Sequence, residues 1–202
     1  MSTPIDRRTA LACAALCLVH ALPGLQPTAR ASAVSRLSTQ DAAARLREGG
    51  WVMMMRHAQT EAGIGDPPGY RMDRCETQRN LSSEGRRQAR RAGEAIRAAG
   101  IAVGQVRSSA WCRCRDTAEL AFGGYEVWAA LNSFFEDRSR EAAQSAEVAA
   151  FARALQAPAN AMLVTHQVNV LAAMGVSPAQ GEIIAGRWRD GRLRAEFGFL
   201  PA

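Results

Sequence analysis

The sequence predicts one α/β domain built on a mainly parallel sheet with helices on both faces, and three observations lead there. Trp51-Val52-Met53-Met54-Met55 and Ala161-Met162-Leu163-Val164-Thr165 are short apolar runs without alternation, the mark of strands buried on both sides. Segments with helical spacing of small apolar residues separate the strands. The 202 residues suffice for one sizeable core, and neither an internal repeat nor a low-complexity linker divides them.

Taken in order, residues 1–33 read as an export signal. Arg7-Arg8 precede a weakly hydrophobic run over 9–22, Pro23-Gly24 end it, and Ala31-Ser32-Ala33 supplies a small-x-small cleavage pattern. The run is too short for an ordinary transmembrane helix. The paired arginines followed by Thr-Ala-Leu resemble a twin-arginine signal, a plain Sec signal being the alternative. The expectation is export, to the periplasm, of a single domain over residues 34–202 with no stable membrane insertion. That domain keeps two histidines, His57 and His166, and three cysteines, Cys75, Cys112 and Cys114.

The first helix of the domain starts at Ser38 or Thr39, continues through Leu46 and stops at Gly49-Gly50. The first buried strand follows and delivers Arg56 and His57. A loop over 61–80, rich in Gly, Pro, Asp and Arg, is long for a mere connection and is expected to form part of a site. Ser82 caps a second helix whose buried face carries Ala89, Ala92, Gly93 and Ile96, and Gly100 ends it. A short strand over 105–108 leads into a third helix from about Ala110 to Ala121, broken by Gly123-Gly124. A strand over 126–128 follows, then an irregular stretch over 131–137. The next helix runs over 140–156, with Val148, Phe151, Ala152 and Leu155 on one face. The second buried strand ends in His166, a helix over 168–174 begins at once, and the tail over 182–199 forms a hairpin about Asp190-Gly191.

The formal charge of +6 does not imply nucleic acid. Every one of the 25 basic residues is Arg, they are spread along the chain, and no basic stripe interleaved with aromatics appears. Chemistry is indicated instead by position. Both histidines of the domain stand directly after a buried strand, and open parallel sheets place their sites at that edge. One such His is commonly a packed structural residue, but two out of two point to convergence. An imidazole there can serve as nucleophile or acid/base. Arg113 stands where a strand end enters the first turn of a helix, a place that favours anions. With Arg56 it offers guanidiniums that bind tetrahedral oxyanions bidentately and keep their charge.

These residues fall into motifs. Arg56-His57-Ala58-Gln59-Thr60 resembles the Arg-His-Gly-x-Thr signature of the histidine phosphatases, the superfamily that includes the cofactor-dependent phosphoglycerate mutases. Leu81-Ser82-Ser83-Glu84-Gly85-Arg86-Arg87-Gln88-Ala89 resembles the family's Leu-Thr-x-x-Gly-x-x-Gln-Ala helix start. Ser108-Ser109 through Arg113 to Thr117-Ala118, and Val164-Thr165-His166, resemble its remaining segments. The resemblance implies a three-layer α/β/α sandwich and a phosphomonoester hydrolase needing no metal or other cofactor, with a small phosphorylated substrate. It implies His57 as nucleophile through a phosphohistidine intermediate, and Arg56, Arg113 and His166 as phosphate holders. The proton donor for the leaving oxygen is expected at Glu136, with Asp137 next and Glu61 the outsider. The alternatives are a phosphohistidine phosphatase and a catalytically silent phosphoryl-ligand binding protein on the same fold.

Ala58 replaces the usual Gly, Ala62 and Gly63 stand where mutase-like members often place an Asn, and Gln167 rather than Asp follows His166. Together with the lack of large insertions, these departures favour a small exported phosphatase. Cys112 and Cys114, two apart on a helix, point about 200° apart, which makes joint metal ligation or a bond between them awkward. A disulfide from Cys75 to one of them is the expectation, pinning the long loop beside Arg113. Trp111, Phe134 and Phe135 are expected in the core or the pocket wall.

Overall fold

The computed structural model describes residues 34–202; the expected export signal lies outside the described residues. The strands are β1 (Ser35–Arg36), β2 (Val52–Arg56), β3 (Gln105–Ser108), β4 (Glu126–Val127), β5 (Ala161–Thr165), β6 (Ile183–Arg189) and β7 (Arg192–Phe199). They form one seven-stranded sheet in the order β1-β7-β6-β2-β5-β3-β4. Neighbours are parallel from β2 through β5 and β3 to β4, and β1 is parallel to β7; β6 runs antiparallel to both of its neighbours. The helices are α1 (Thr39–Leu46), α2 (Ser83–Ala98), α3 (Cys112–Phe122), α4 (Glu141–Ala154) and α5 (Gln167–Met174).

The Met-rich strand β2 shows why the sheet is covered twice. Successive side chains point to opposite faces. Met53 and Met55 pack with Leu46, Ile96 and Phe197, under α1 to α3. Val52 and Met54 pack with Val148, Val170 and Leu193, under α4 and α5. A run apolar at every position is therefore what a central strand of a three-layer sandwich requires.

Most boundaries follow local chemistry. Ser38 and Ser82 cap α1 and α2, accepting from the N–H groups of Asp41 and Gly85 at 3.1 and 3.0 Å. Helix α3 starts at Cys112 rather than Ala110 because Trp111 is extended, at ψ 134°. Helix α4 ends at Ala154, two residues short of the expectation, because Leu155 turns extended. Strand β1 was not foreseen. Its two exposed residues carry no pattern of their own and pair with Phe197 and Gly198, far along the chain.

The register sets up the site. Arg56 pairs with Thr165 across β2 and β5, and the His57 N–H donates to the Thr165 carbonyl at 2.9 Å. Ser108 pairs with Val164 across β3 and β5. His57, His166 and Ser109 thus leave three parallel strands at one level of the C-terminal edge.

Candidate functional site

His57 is buried, at 3% exposure. Its Nδ1 lies 2.9 Å from the Ala58 carbonyl. A carbonyl only accepts, so Nδ1 carries the proton and Nε2 keeps its lone pair. Burial, then the nearby Arg113 guanidinium, pushes its pKa down to about 3, so the imidazole is neutral. The backbone behind it is fixed from α3: Thr117 Oγ1 accepts from the Ala58 N–H at 3.0 Å and donates to the Arg113 carbonyl at 2.7 Å. His166 faces it with ring centroids 5.5 Å apart. Its Nε2 sits 2.9 Å from Ser109 Oγ, which is itself 3.2 Å from Asn132 Oδ1. Burial, Arg113 and His57 also hold the pKa of His166 well below that of a free imidazole.

The segment over 81–89 earns its motif by holding the chain just after His57. The Ser82 N–H donates to the Gln59 carbonyl at 3.1 Å. Gln88 accepts from the Gln59 N–H and donates to the Gln180 carbonyl, each at 2.9 Å. A Cβ on Gly85 would stand 1.8 Å from the Gln59 carbonyl oxygen, so only glycine lets the helix approach.

Three guanidiniums surround the histidines. Arg56 donates to the Pro178 carbonyl at 3.0 Å, and Arg113 to Asp66 Oδ1 at 2.7 Å. The third, Arg79, was not singled out in the sequence. It donates to Thr60 Oγ1 at 2.6 Å and to the Gly63 and Gly65 carbonyls at 3.0 and 2.7 Å. Burial, then the neighbouring guanidiniums, lowers the pKa of Arg56 and Arg79. Asp66 is the carboxylate that answers them, accepting also from the Arg79 N–H at 2.9 Å and Trp111 Nε1 at 3.0 Å. Burial opposes its ionisation, but the bond and charge of Arg113, together with the bonds from Arg79 and Trp111, outweigh burial and hold its carboxyl below the usual range. Arg56 Nε and Arg113 Nε are buried donors without a partner. Three guanidiniums crowded beside two neutral imidazoles describe a receptor for an anion.

A cavity of about 240 Å³ opens here, lined by Arg56, His57, Arg79, Arg113 and His166 and, toward its mouth, by Glu136. Of the three acids weighed from sequence, only Glu136 lines it. Asp137 caps the following turn, accepting from the Ser139 N–H at 3.2 Å and Arg140 Nε at 2.9 Å, and Glu61 is exposed outside the cavity. Burial, then the Glu136 carboxylate, raises the pKa of Tyr70, another lining residue. Trp111 and Phe135 form wall, whereas Phe134 is core at 1% exposure.

The long loop is the other half of the site. A disulfide joins Cys75 to Cys112, residue neighbour of Arg113, with Cα atoms 5.6 Å apart. Cys114 turns inward, its Sγ 3.5 Å from His166 Nε2, and burial pushes its thiol up to about 12. Loop length marked the segment in the sequence, but nothing local marked Asp66, Tyr70 or Arg79, whose importance lies in what they meet across the fold.

The model of the histidine phosphatase superfamily (branch 1) matches residues 52–159, a span holding Arg56, His57, Arg113 and Glu136, with His166 just beyond it. No curated protein gives a significant sequence match. The fold is similar to that of the protein histidine phosphatase SixA complexed with tungstate, at 14% identity and TM-score 0.52 over 75% of this chain and 97% of the other. It is similar to a putative alpha-ribazole-5'-P phosphatase from Escherichia coli, at 16% identity and TM-score 0.54 over 75% and 96%. It is likewise similar to a phosphoserine phosphatase mutant from Entamoeba histolytica in complex with phosphoserine, at 11% identity and TM-score 0.51 over 73% and 95%. The chain belongs to the histidine phosphatase superfamily.

Proposed function

We propose that this member of the superfamily is an exported phosphomonoester hydrolase, independent of metal, that works through a phosphohistidine on His57. One observation carries the reading. A neutral imidazole with a free Nε2 lone pair stands among three guanidiniums on the wall of one cavity. In the cavity, Arg56, Arg79 and Arg113 neutralise the charge spread over the oxygens of a phosphoryl group, and the neutral His166 is a further holder of those oxygens.

In the first step His57 Nε2 bonds to phosphorus in line while the ester P–O bond breaks. Glu136, at the mouth of the same cavity, gives its proton to the departing oxygen, so the alcohol leaves neutral. In the second step the Glu136 carboxylate takes a proton from water, the water oxygen bonds to phosphorus, and the P–N bond breaks to release phosphate and restore the imidazole. The proton stays on Nδ1, donated to the Ala58 carbonyl throughout, and this bond aims Nε2 at the reaction. The Cys75–Cys112 disulfide supports the export part of the reading, since such bonds persist in oxidising compartments.

Rapid quench of enzyme with labelled aryl phosphate, in EDTA, tests the mechanism. The expected adduct is acid-labile, base-stable, and absent from His57→Ala. Turnover equal in the variant and the wild type sinks the assignment of His57. Turnover of neither above buffer leaves a phosphoryl-ligand binding protein as the surviving reading.

A further inference from the structure

Among the described residues, five large apolar side chains remain exposed, and two of them, Ile64 at 91% and Phe135 at 56%, line the mouth of the phosphate cavity. Scattered single exposed apolar residues are ordinary, but a pair on the rim of one cavity beside Tyr70 and Val168 is not scattered. Neither is an accident of a loose segment. Gly63 and Gly65, at φ 129° and 69°, take conformations that L side chains rarely adopt, and Arg79 grips the carbonyls of both, so the phosphate cluster itself holds Ile64 outward. Phe135 follows the core residue Phe134, whose burial turns its neighbour to the surface, and its N–H is held by Ser133 Oγ at 3.3 Å.

Charge at the mouth points the same way. The cations lining the cavity are Arg56, Arg79 and Arg113, beside the histidines; of its two lining acids, Asp66 is paired with Arg113 and Glu136 is exposed. A second phosphate or a carboxylate on the leaving alcohol meets an acid and apolar surface there, and the cavity lining holds no cation beyond the three beside the histidines. We infer that the substrate is a phosphomonoester of an uncharged, apolar alcohol, aryl or alkyl, whose hydrocarbon lies against Ile64 and Phe135. The inference rests on the phosphoryl-binding part of the function proposed above and adds the class of alcohol.

Stable phosphonates test it without requiring turnover. Calorimetry on the disulfide-bonded protein compares benzylphosphonate, methylphosphonate and phosphonoacetate, for the wild type and for an Ile64→Ser, Phe135→Ser double variant, both positions being exposed and outside the core. Benzylphosphonate is expected to bind about tenfold more tightly than methylphosphonate, the scale of apolar discrimination in a pocket, and phosphonoacetate more weakly than either. In the double variant the ratio of benzyl to methyl affinity should fall toward one. Equal binding of benzyl- and methylphosphonate, or tighter binding of phosphonoacetate, overturns the inference while leaving a phosphate site in place. A ratio unmoved in the double variant overturns the assignment to Ile64 and Phe135. No binding of any of the three overturns the phosphate site and the inference together. The ordered binding without turnover of benzyl phosphate supports the inference and removes hydrolysis alone.

Discussion

The neutral state of His57 has a measurable consequence for stability. An ordinary unfolded imidazole titrates near 6.5, whereas burial and Arg113 bring the folded His57 to about 3. Between those values the unfolded chain binds a proton that the native protein refuses, so stability falls as pH falls through this window. Each pH unit is worth about 1.4 kcal/mol, so descent from neutrality to about pH 4.5 costs about 3 kcal/mol through His57 alone. His166, displaced in the same direction, adds to the slope. Asp66 does not confound the window: its folded carboxyl lies below its unfolded value of 3.8, so its contribution is lost only as pH falls past that value. The perturbation is His57→Asn, whose amide can still donate to the Ala58 carbonyl but does not titrate. Urea unfolding in chloride buffers at both pH values, with phosphate and sulfate excluded because they occupy the site, provides the assay. The variant should lose about 3 kcal/mol less than the wild type on acidification. Equal losses in the two proteins refute the claim that His57 is held neutral by its surroundings.

Three further outcomes probe the acid, the loop and the scaffold. Glu136→Gln should lower kcat about 100-fold or more for an alkyl phosphate but little for a nitrophenyl phosphate, whose leaving group needs no proton, as steady-state kinetics on both esters will show. A uniform loss across the two esters would assign Glu136 to binding instead. Opening the Cys75–Cys112 bridge, which spans 37 residues, with a Cys75→Ala, Cys112→Ala variant should cost about 2 to 4 kcal/mol in denaturant unfolding and raise KM, because the loop carries Asp66 and Arg79. Gly85→Ala should destabilise by about 2 kcal/mol or more, since its Cβ would stand 1.8 Å from the Gln59 carbonyl, and thermal unfolding will register it.

How much of this was legible depends on whether a residue's role is local or relational. The strand β2 was readable because burial on both faces leaves an unbroken apolar run, and the cap at Ser82 because its hydroxyl does its work three residues on, at the Gly85 N–H. Arg113 was readable from its place in the first turn of α3. That His57 and His166 meet was an inference from two similar positions, and its physical basis is a single register, Arg56 opposite Thr165. Arg79 had no such signature. It lies at the end of an irregular loop that also contains Arg71 and Arg74, and Arg71 spends its charge on an exposed pair with Asp73. What separates Arg79 from Arg71 is that the chain folds back so that Thr60, Gly63 and Gly65 surround its guanidinium while Asp66 receives its N–H. Asp66 is the hinge of that arrangement. It touches Arg79, Trp111 and Arg113 at once, so one carboxylate joins the loop to the helix that carries Arg113. The loop is therefore tied to the wall of the site through an acid that periodicity and spacing had no means of marking.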